Sequence, residues 1–366
     1  MKILLTGGGT GGHVFPAVAI AEKIYEKYPA AEILFIGRAG GNENRAITEK
    51  KIPLMELEVR GIERRLTLNN IKSLVLAIQA LGKAKKIIRE FAPDAVIGTG
   101  GYVCWPVLRA AQLLGIKTLI HESNVYPGLV TRLSSNHCDA VLLNHGETKR
   151  YLKKSANCFV VGNPLRKSFS EMTKDKARRA IGINENEVLI VSFGGSGGAK
   201  ILNDFSIKLM NNYSRKSPNI RHIHAAGKKY YDALSKAEQT NKKGGSKILP
   251  YIDNMPTVLT AADIVICRAG AITLSEIAAA KSPAILIPSP NVTDNHQYKN
   301  AHHLASCGAA IMIEEKDLTQ EILFEKVKML AENESERKKL SKCIQRFAIS
   351  DSAERIFNIL TDLIKK

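Results

Sequence analysis

Lys2-Ile3-Leu4-Leu5-Thr6-Gly7-Gly8-Gly9-Thr10-Gly11-Gly12-His13 reads as an apolar strand, a glycine turn and the start of a helix. The same order returns at Val188-Leu189-Ile190-Val191-Ser192-Phe193-Gly194-Gly195-Ser196-Gly197-Gly198-Ala199-Lys200. A strand that runs through glycines into a helix presents backbone N–H groups and the positive end of the helix dipole, a combination suited to phosphate. Two such units in tandem predict two α/β halves of the nucleotide-binding kind.

Outward from these runs, short apolar segments alternate with longer helical patterns, as in parallel sheets covered by helices. Strands are expected at 2–6, 33–36, 95–98, 117–120 and 140–143, and again near 188–193, 222–225, 247–249, 264–267, 284–287 and 310–313. Gly162-Asn163-Pro164-Leu165-Arg166 interrupts the pattern, because proline holds the residue before it extended. The expected division is therefore 1–163 and 164–346. An amphipathic helix near 350–364, begun by Ser350 or Asp351, is able to pack on either half.

The length of 366 residues suits two domains of about 150 to 200 residues each. The net charge of +18 is shared evenly by the halves, so it is not the property of a tail. There is no Arg-studded helix and no Lys/Arg-Gly-aromatic strand motif, so no nucleic-acid partner is expected. Anionic lipid, pyrophosphate and nucleotide remain as partners for that charge. Cys104, Cys138, Cys158, Cys267, Cys307 and Cys343 are far apart, with no metal-site spacing, and read as small apolar residues in a reducing compartment. The first strand is too short for a signal-peptide core, and no apolar run approaches the roughly 20 residues needed to span a bilayer.

Residues 7–12 fit G-x-G-x-x-G, but the second strand ends Phe35-Ile36-Gly37-Arg38 with no acid for ribose hydroxyls, which argues against a nicotinamide cofactor. Neither loop has the Gly-Lys-Ser/Thr of a P-loop. Ser196 reads equally as a phosphate contact or a helix cap. Downstream, a strand at 264–267 leads through Arg268-Ala269-Gly270 into a helix over 271–280, and a polar loop follows at 289–297. Glu276, one to two turns into that helix, is placed either to accept hydrogen bonds from ribose hydroxyls or to sit as a solvated helix acid.

Thr10 through Ala17, His121 through Gly128, Gly162 through Arg166 and Arg268 through Ala279, in that order, resemble the motifs of the MurG family of N-acetylglucosamine transferases. The resemblance runs from residue 2 to the 310s. It implies a GT-B fold, two Rossmann-like domains facing a central cleft, with an N-terminal acceptor domain that the last helix (347–366) rejoins and a C-terminal donor domain. It implies UDP-N-acetylglucosamine as donor and undecaprenyl-pyrophosphoryl-N-acetylmuramyl-pentapeptide (lipid I) as acceptor, in an inverting reaction. It carries donor contacts to Thr10, Gly11, Gly12, Asn124, Arg166, Ser196, Ile252, Ala271, Ile272, Thr273, Leu274, Ser275, Glu276 and Gln297. Uracil falls at Ile252, ribose at Glu276, pyrophosphate at Ser196 and the helix start, and the sugar at Asn124 and Gln297. Two departures are visible: Gly-Gly-Ser-Gly-Gly at 194–198 where the family has Gly-Gly-Ser-Gln-Gly, and His296-Gln297 where many members have two glutamines.

A hydroxyl nucleophile needs a base, and His13 beside the first glycine loop is the candidate, with Glu122 and Asp294 as alternatives. There is no Asp-x-Asp, so no metal is required, and no cofactor is expected. Other GT-B transferases, a UDP-N-acetylglucosamine epimerase and a basic nucleic-acid-binding protein are the rival functions. The segment Ile71 to Leu81 is expected to turn Ile71, Leu74, Ile78 and Leu81 to the core. Val75 and Leu76, followed by Lys83, Lys85, Lys86 and Arg89 and preceded by Arg60, Arg64 and Arg65, suggest contact with an anionic membrane surface at the cytoplasmic face of the inner membrane.

Overall fold

The computed structural model describes residues 1–41, 44–61, 68–238 and 245–365; Arg64 and Arg65 lie outside them. The chain forms two compact units, Met1–Leu165 with Ile349–Lys366, and Arg166–Ala348.

The first unit is a seven-stranded parallel sheet. Its strands are β1 (Lys2–Thr6), β2 (Glu32–Arg38), β3 (Leu54–Leu57), β4 (Ala95–Gly98), β5 (Lys117–Glu122), β6 (Ala140–Leu143) and β7 (Cys158–Val160), in the order β3-β2-β1-β4-β5-β6-β7. Side chains alternate between its faces, so both faces are apolar and both are covered. Ile3 and Leu5 join Val14, Ala17, Ile20 and Ile24 of the Gly11–Lys27 helix on one side. Leu4, Val96 and Ile120 meet Ala80, Ala84 and Ile88 of the Leu68–Phe91 helix and Val107 and Leu108 of the Cys104–Leu113 helix on the other.

The closing helix, Ser352–Ile364, completes the first of these cores with Ile356, Phe357 and Leu360. Asp351 stands at its N-cap but makes no side-chain cap bond. Glu354 pairs with Lys23 and Lys27 at 3.4 and 2.8 Å, which ties the last helix to the first.

The second unit holds β8 (Val188–Phe193), β9 (Ile220–Ala225), β10 (Lys247–Leu249), β11 (Ile264–Cys267), β12 (Ala284–Leu286) and β13 (Ile311–Met312), all parallel, in the order β10-β9-β8-β11-β12-β13. In both units the strand order reverses beside the first strand of the unit: between β1 and β4, and between β8 and β11. The crevice at the carboxyl ends of two such strands is where open α/β sheets take their ligands.

Two features depart from the sequence expectation. β3 and β7 are additional strands; both lie at sheet edges and leave residues such as Met55, Phe159 and Val160 exposed, so neither carries the continuous apolar signal of a buried strand. In the Leu68–Phe91 helix Leu81 packs against the core as expected, but Ile71, Leu74 and Ile78 do not. Ile71, Leu74, Val75 and Ile78 are 48% to 61% exposed, and the buried line is Ser73, Ala80, Ala84 and Ile88. Small side chains let this helix approach its neighbour closely, so bulk was a misleading guide to its inward face.

Candidate functional site

In the first unit the site forms where the loops after β1 and β4 meet backbone to backbone. Gly8 N–H donates to Gly100 O at 3.2 Å, and Thr99 Oγ1 donates to His13 O at 2.6 Å. A Cβ on Gly7 would stand 2.3 Å from Thr99 Oγ1, and one on Gly101 would stand 2.0 Å from Gly8 O. The glycines are therefore required by this contact as well as by the turn.

Thr10 occupies the N-cap of the Gly11–Lys27 helix in extended backbone, and Gly11 and Gly12 are its first residues. The helix start thus offers N–H groups that it cannot satisfy internally.

His13 sits in that first turn. Its Nδ1 lies 2.9 Å from Gly8 O, with Thr10 Oγ1 at 3.4 Å. A carbonyl only accepts, so in the neutral ring Nδ1 carries the proton and Nε2 keeps the lone pair. The Nε2 edge rests on bare backbone: a Cβ on Gly100 would lie 2.9 Å from it.

Asn124 is held by Glu122, whose Oε1 accepts from the Asn124 backbone N–H and from Nδ2, both at 3.0 Å. The other oxygen, Oε2, accepts from Gly128 N at 2.8 Å and Thr131 Oγ1 at 2.6 Å. Glu122 is buried and engaged by four donors. That arrangement makes it the support of the 123–128 loop and leaves it poorly placed to act as a base.

In the second unit the loops after β8 and β11 border the switch point. Ser196 is exposed in the 194–198 loop. Gly270 caps the Ala271–Ala280 helix in extended backbone, so Ala271, Ile272 and Thr273 form its first turn. Leu274 is buried and its N–H already serves the helix through Gly270 O, so a ligand can use little of it. Ser275 is half-buried. Ile252, in the loop that follows β10, has a buried side chain, which leaves its backbone as the usable part. Gln297, in the first turn of the His296–Ser306 helix, accepts from Ser289 N at 2.9 Å through Oε1, which leaves its amide nitrogen for another partner.

Arg166 Nη2 approaches Glu276 Oε1 at 3.5 Å. The Glu276 side chain is only 15% exposed. Burial raises its carboxyl to about 7, with Arg166 holding it back. A carboxyl so enclosed, in the second turn of the helix and beside a cation, fits the pattern of a ligand-binding acid better than that of a solvated helix residue. Arg268, within the same motif, has a fixing role: it donates to Ile287 O at 3.1 Å and pairs with Glu315 at 2.5 Å.

Sequence reasoning missed Thr99, Gly100 and Gly101, although Gly98-Thr99-Gly100-Gly101 after a buried strand was a readable signal. It also missed Asn300, which is buried and donates to Ala269 O at 3.3 Å, bracing the turn before Gly270.

Residues 3–143 match the glycosyltransferase family 28 N-terminal domain, and residues 189–356 match the C-terminal domain of that family. A protein of Acetivibrio thermocellus is 39% identical over 365 residues, covering 100% of this chain and 99% of its own; it is named UDP-N-acetylglucosamine--N-acetylmuramyl-(pentapeptide) pyrophosphoryl-undecaprenol N-acetylglucosamine transferase. A protein of the same name from Thermoanaerobacter sp. strain X514 is 41% identical, covering 99% of this chain and 100% of its own. Among solved structures, MurG of Acinetobacter baumannii superposes with a TM-score of 0.77 at 26% identity over 99% of both chains. UDP-GlcNAc 2-epimerase from Neisseria meningitidis superposes at 0.69 with 14% identity, covering 99% of this chain and 100% of its own, which is a likeness of fold alone.

Proposed function

The chain belongs to glycosyltransferase family 28, and from that membership we propose an inverting transferase that moves N-acetylglucosamine from UDP-N-acetylglucosamine to the C4 hydroxyl of the muramyl sugar of lipid I, giving lipid II in peptidoglycan synthesis. The observation that carries this reading is the likeness to transferases of that name along the whole chain. The fold is GT-B, and the switch-point sites of both units agree with it.

The second unit is the donor domain. Glu276 accepts from the ribose hydroxyls, the Ile252 backbone meets uracil, and the Ala271–Ala280 helix start, Ser196 and Arg166 face the diphosphate. Gln297 supplies an amide to the sugar. The first unit is the acceptor domain, with Thr10, Gly11, Gly12 and Asn124 lining its loops.

His13 is the base. Its Nε2 takes the proton of the C4 hydroxyl as that oxygen bonds to C1; the C1–O bond to UDP breaks on the opposite face, and UDP leaves with the electron pair. The tautomer fixed by Gly8 O supports this role.

The enzyme docks peripherally on the cytoplasmic face of the inner membrane, the side on which nucleotide sugars are available. Among the described residues no helix is long and apolar enough to cross a membrane. Ile71, Leu74, Val75 and Ile78 make an exposed apolar face with exposed Lys72, Lys83, Lys86 and Arg89 on the same helix, the composition of a surface for anionic headgroups.

The test is incubation with labelled UDP-N-acetylglucosamine and a lipid I analogue. A labelled disaccharide-lipid with stoichiometric UDP release supports the proposal. An epimerised nucleotide sugar, or no transfer to that acceptor, overturns it.

A further inference from the structure

A line of polar side chains crosses the apolar core of the second unit. Ser192 on β8, His222 and His224 on β9, and Asn203 in the Lys200–Leu209 helix are all buried on the face that also holds Ile190, Leu202, Leu209 and Ile220. Ser192 Oγ lies 2.7 Å from both His224 Nδ1 and His222 Nε2. His224 Nε2 lies 3.0 Å from Asn203 Oδ1, and Ser214 Oγ lies 3.4 Å from His222 Nδ1.

The direction of every proton in this line follows from one end. Asn203 Nδ2 donates to Ala226 O at 3.0 Å, which turns Oδ1 toward His224. Oδ1 only accepts, so His224 Nε2 carries a proton and, the ring being neutral, Nδ1 does not. Ser192 therefore donates to His224 and accepts from His222 Nε2–H, and His222 Nδ1 is left to accept from Ser214.

Burial favours the neutral rings throughout, holding His224 down at about 4 and His222 well below its ordinary value, with the Arg215 charge adding to the latter. Among the described residues every link is made, and a fully satisfied buried network rigidifies what it joins.

What it joins is the glycine loop. Ala226 O, which Asn203 holds, stands where a Cβ on Gly198 would come within 2.1 Å, and Gly198 has φ +73°. Asn203 belongs to the helix that begins directly after that loop. The network thus fixes the carbonyl against which the left-handed end of the 194–198 loop is packed.

We infer that Ser192, His222, His224 and Asn203 are positioning residues that hold the Gly194–Gly198 loop in shape for the donor's diphosphate. The inference rests on the reading of that loop as a diphosphate site and adds to it the parts that keep it formed.

Calorimetry of the full chain with UDP and with uridine tests it, since only UDP presents a diphosphate to the loop. Ser192→Ala and His224→Leu should each weaken UDP by about tenfold, the scale of one or two lost hydrogen bonds, and leave uridine within about twofold. His224→Gln, whose amide nitrogen can donate to Asn203 Oδ1 as Nε2–H does, should recover most of the UDP affinity. If one deleting variant fails to fold, the other decides. Variants that retain the preference for UDP overturn the inference, as do variants that lose uridine and UDP equally, which would mark a general role in folding. A wild-type protein that binds UDP no better than uridine refutes the loop reading itself, and the inference with it.

Discussion

Replacing Glu276 by glutamine should make the protein more stable and its grip on the donor weaker, both with a marked pH dependence. The Glu276 carboxyl is raised from 4.5 to about 7 in the folded protein, chiefly by burial. An acid raised on folding contributes stability that is fully present below 4.5 and is lost as the pH climbs through about 7, because the folded site favours the protonated form. The interval between those values corresponds to roughly 3 kcal/mol. About 1.4 kcal/mol of it is already lost at pH 5.5 and nearly all at pH 8.5, a difference of about 2 kcal/mol. Glutamine is nearly isosteric and does not ionise, so its stability advantage over the wild type should widen by about that amount between the two pH values. In the proposed donor site a carboxylate accepts from ribose hydroxyls more strongly than an amide does, so Glu276→Gln should also cost donor binding about 1.5 to 3 kcal/mol at pH 8.5, the scale of hydrogen bonds to a charged group. Urea unfolding at pH 5.5 and 8.5 measures the first effect and calorimetry with UDP-N-acetylglucosamine the second. Equal stability differences at the two pH values would refute the enclosed-carboxyl argument, and unchanged donor affinity would remove Glu276 from the ribose.

Three further outcomes follow from other parts of the molecule. His13→Ala should lower turnover by about 10²-fold or more while donor affinity stays within a few fold, since general-base catalysis contributes on that scale; near-normal turnover with an unaltered pH profile would exclude it as the base. His224, held at about 4 against an ordinary 6.5, contributes stability that is present above 6.5 and is lost as pH falls toward 4, about 3 kcal/mol in all; denaturant titrations should show that slope in the wild type and a shallower one in His224→Gln. On the Leu68–Phe91 helix, changing Ile71, Leu74 and Ile78 to serine should abolish co-sedimentation with phosphatidylglycerol vesicles. Changing Lys83, Lys85 and Lys86 to glutamate should weaken it and its salt dependence; undiminished binding by both variants would move the docking surface elsewhere.

The parallel sheets were legible because β1, β4, β6, β8 and β11 are buried on both faces and so read as short, nearly continuous apolar runs. β3 and β7 were not legible, since an edge strand with exposed residues has neither a continuous nor an alternating pattern. The inward face of the Leu68–Phe91 helix was misread because the signal used was side-chain size, whereas its packing uses Ala80 and Ala84. At the site, the glycine loops and Glu276 announced themselves through local chemistry. The partnership of Thr99 with His13, or of His224 with Asn203, joins residues remote in sequence whose types are unremarkable alone. Such pairings exist only once the strands are set in order.

The closing helix gives the first unit an unusual schedule of assembly. Ile356, Phe357 and Leu360 belong to the core laid down beside β1 and the Gly11–Lys27 helix, yet all of Arg166–Ala348 is synthesised before them. The second unit is thus, in chain order, an insertion within the first, and it can fold on the ribosome while its host still lacks part of its wall. Until the Ser352–Ile364 helix emerges, the Gly11–Lys27 helix lacks one of its neighbours, and the contacts between these two helices are among the longest in sequence that the chain makes. A truncation that removes Ser352–Ile364 should therefore injure the first unit before the second, leaving Arg166–Ala348 attached to a partner that cannot close its core.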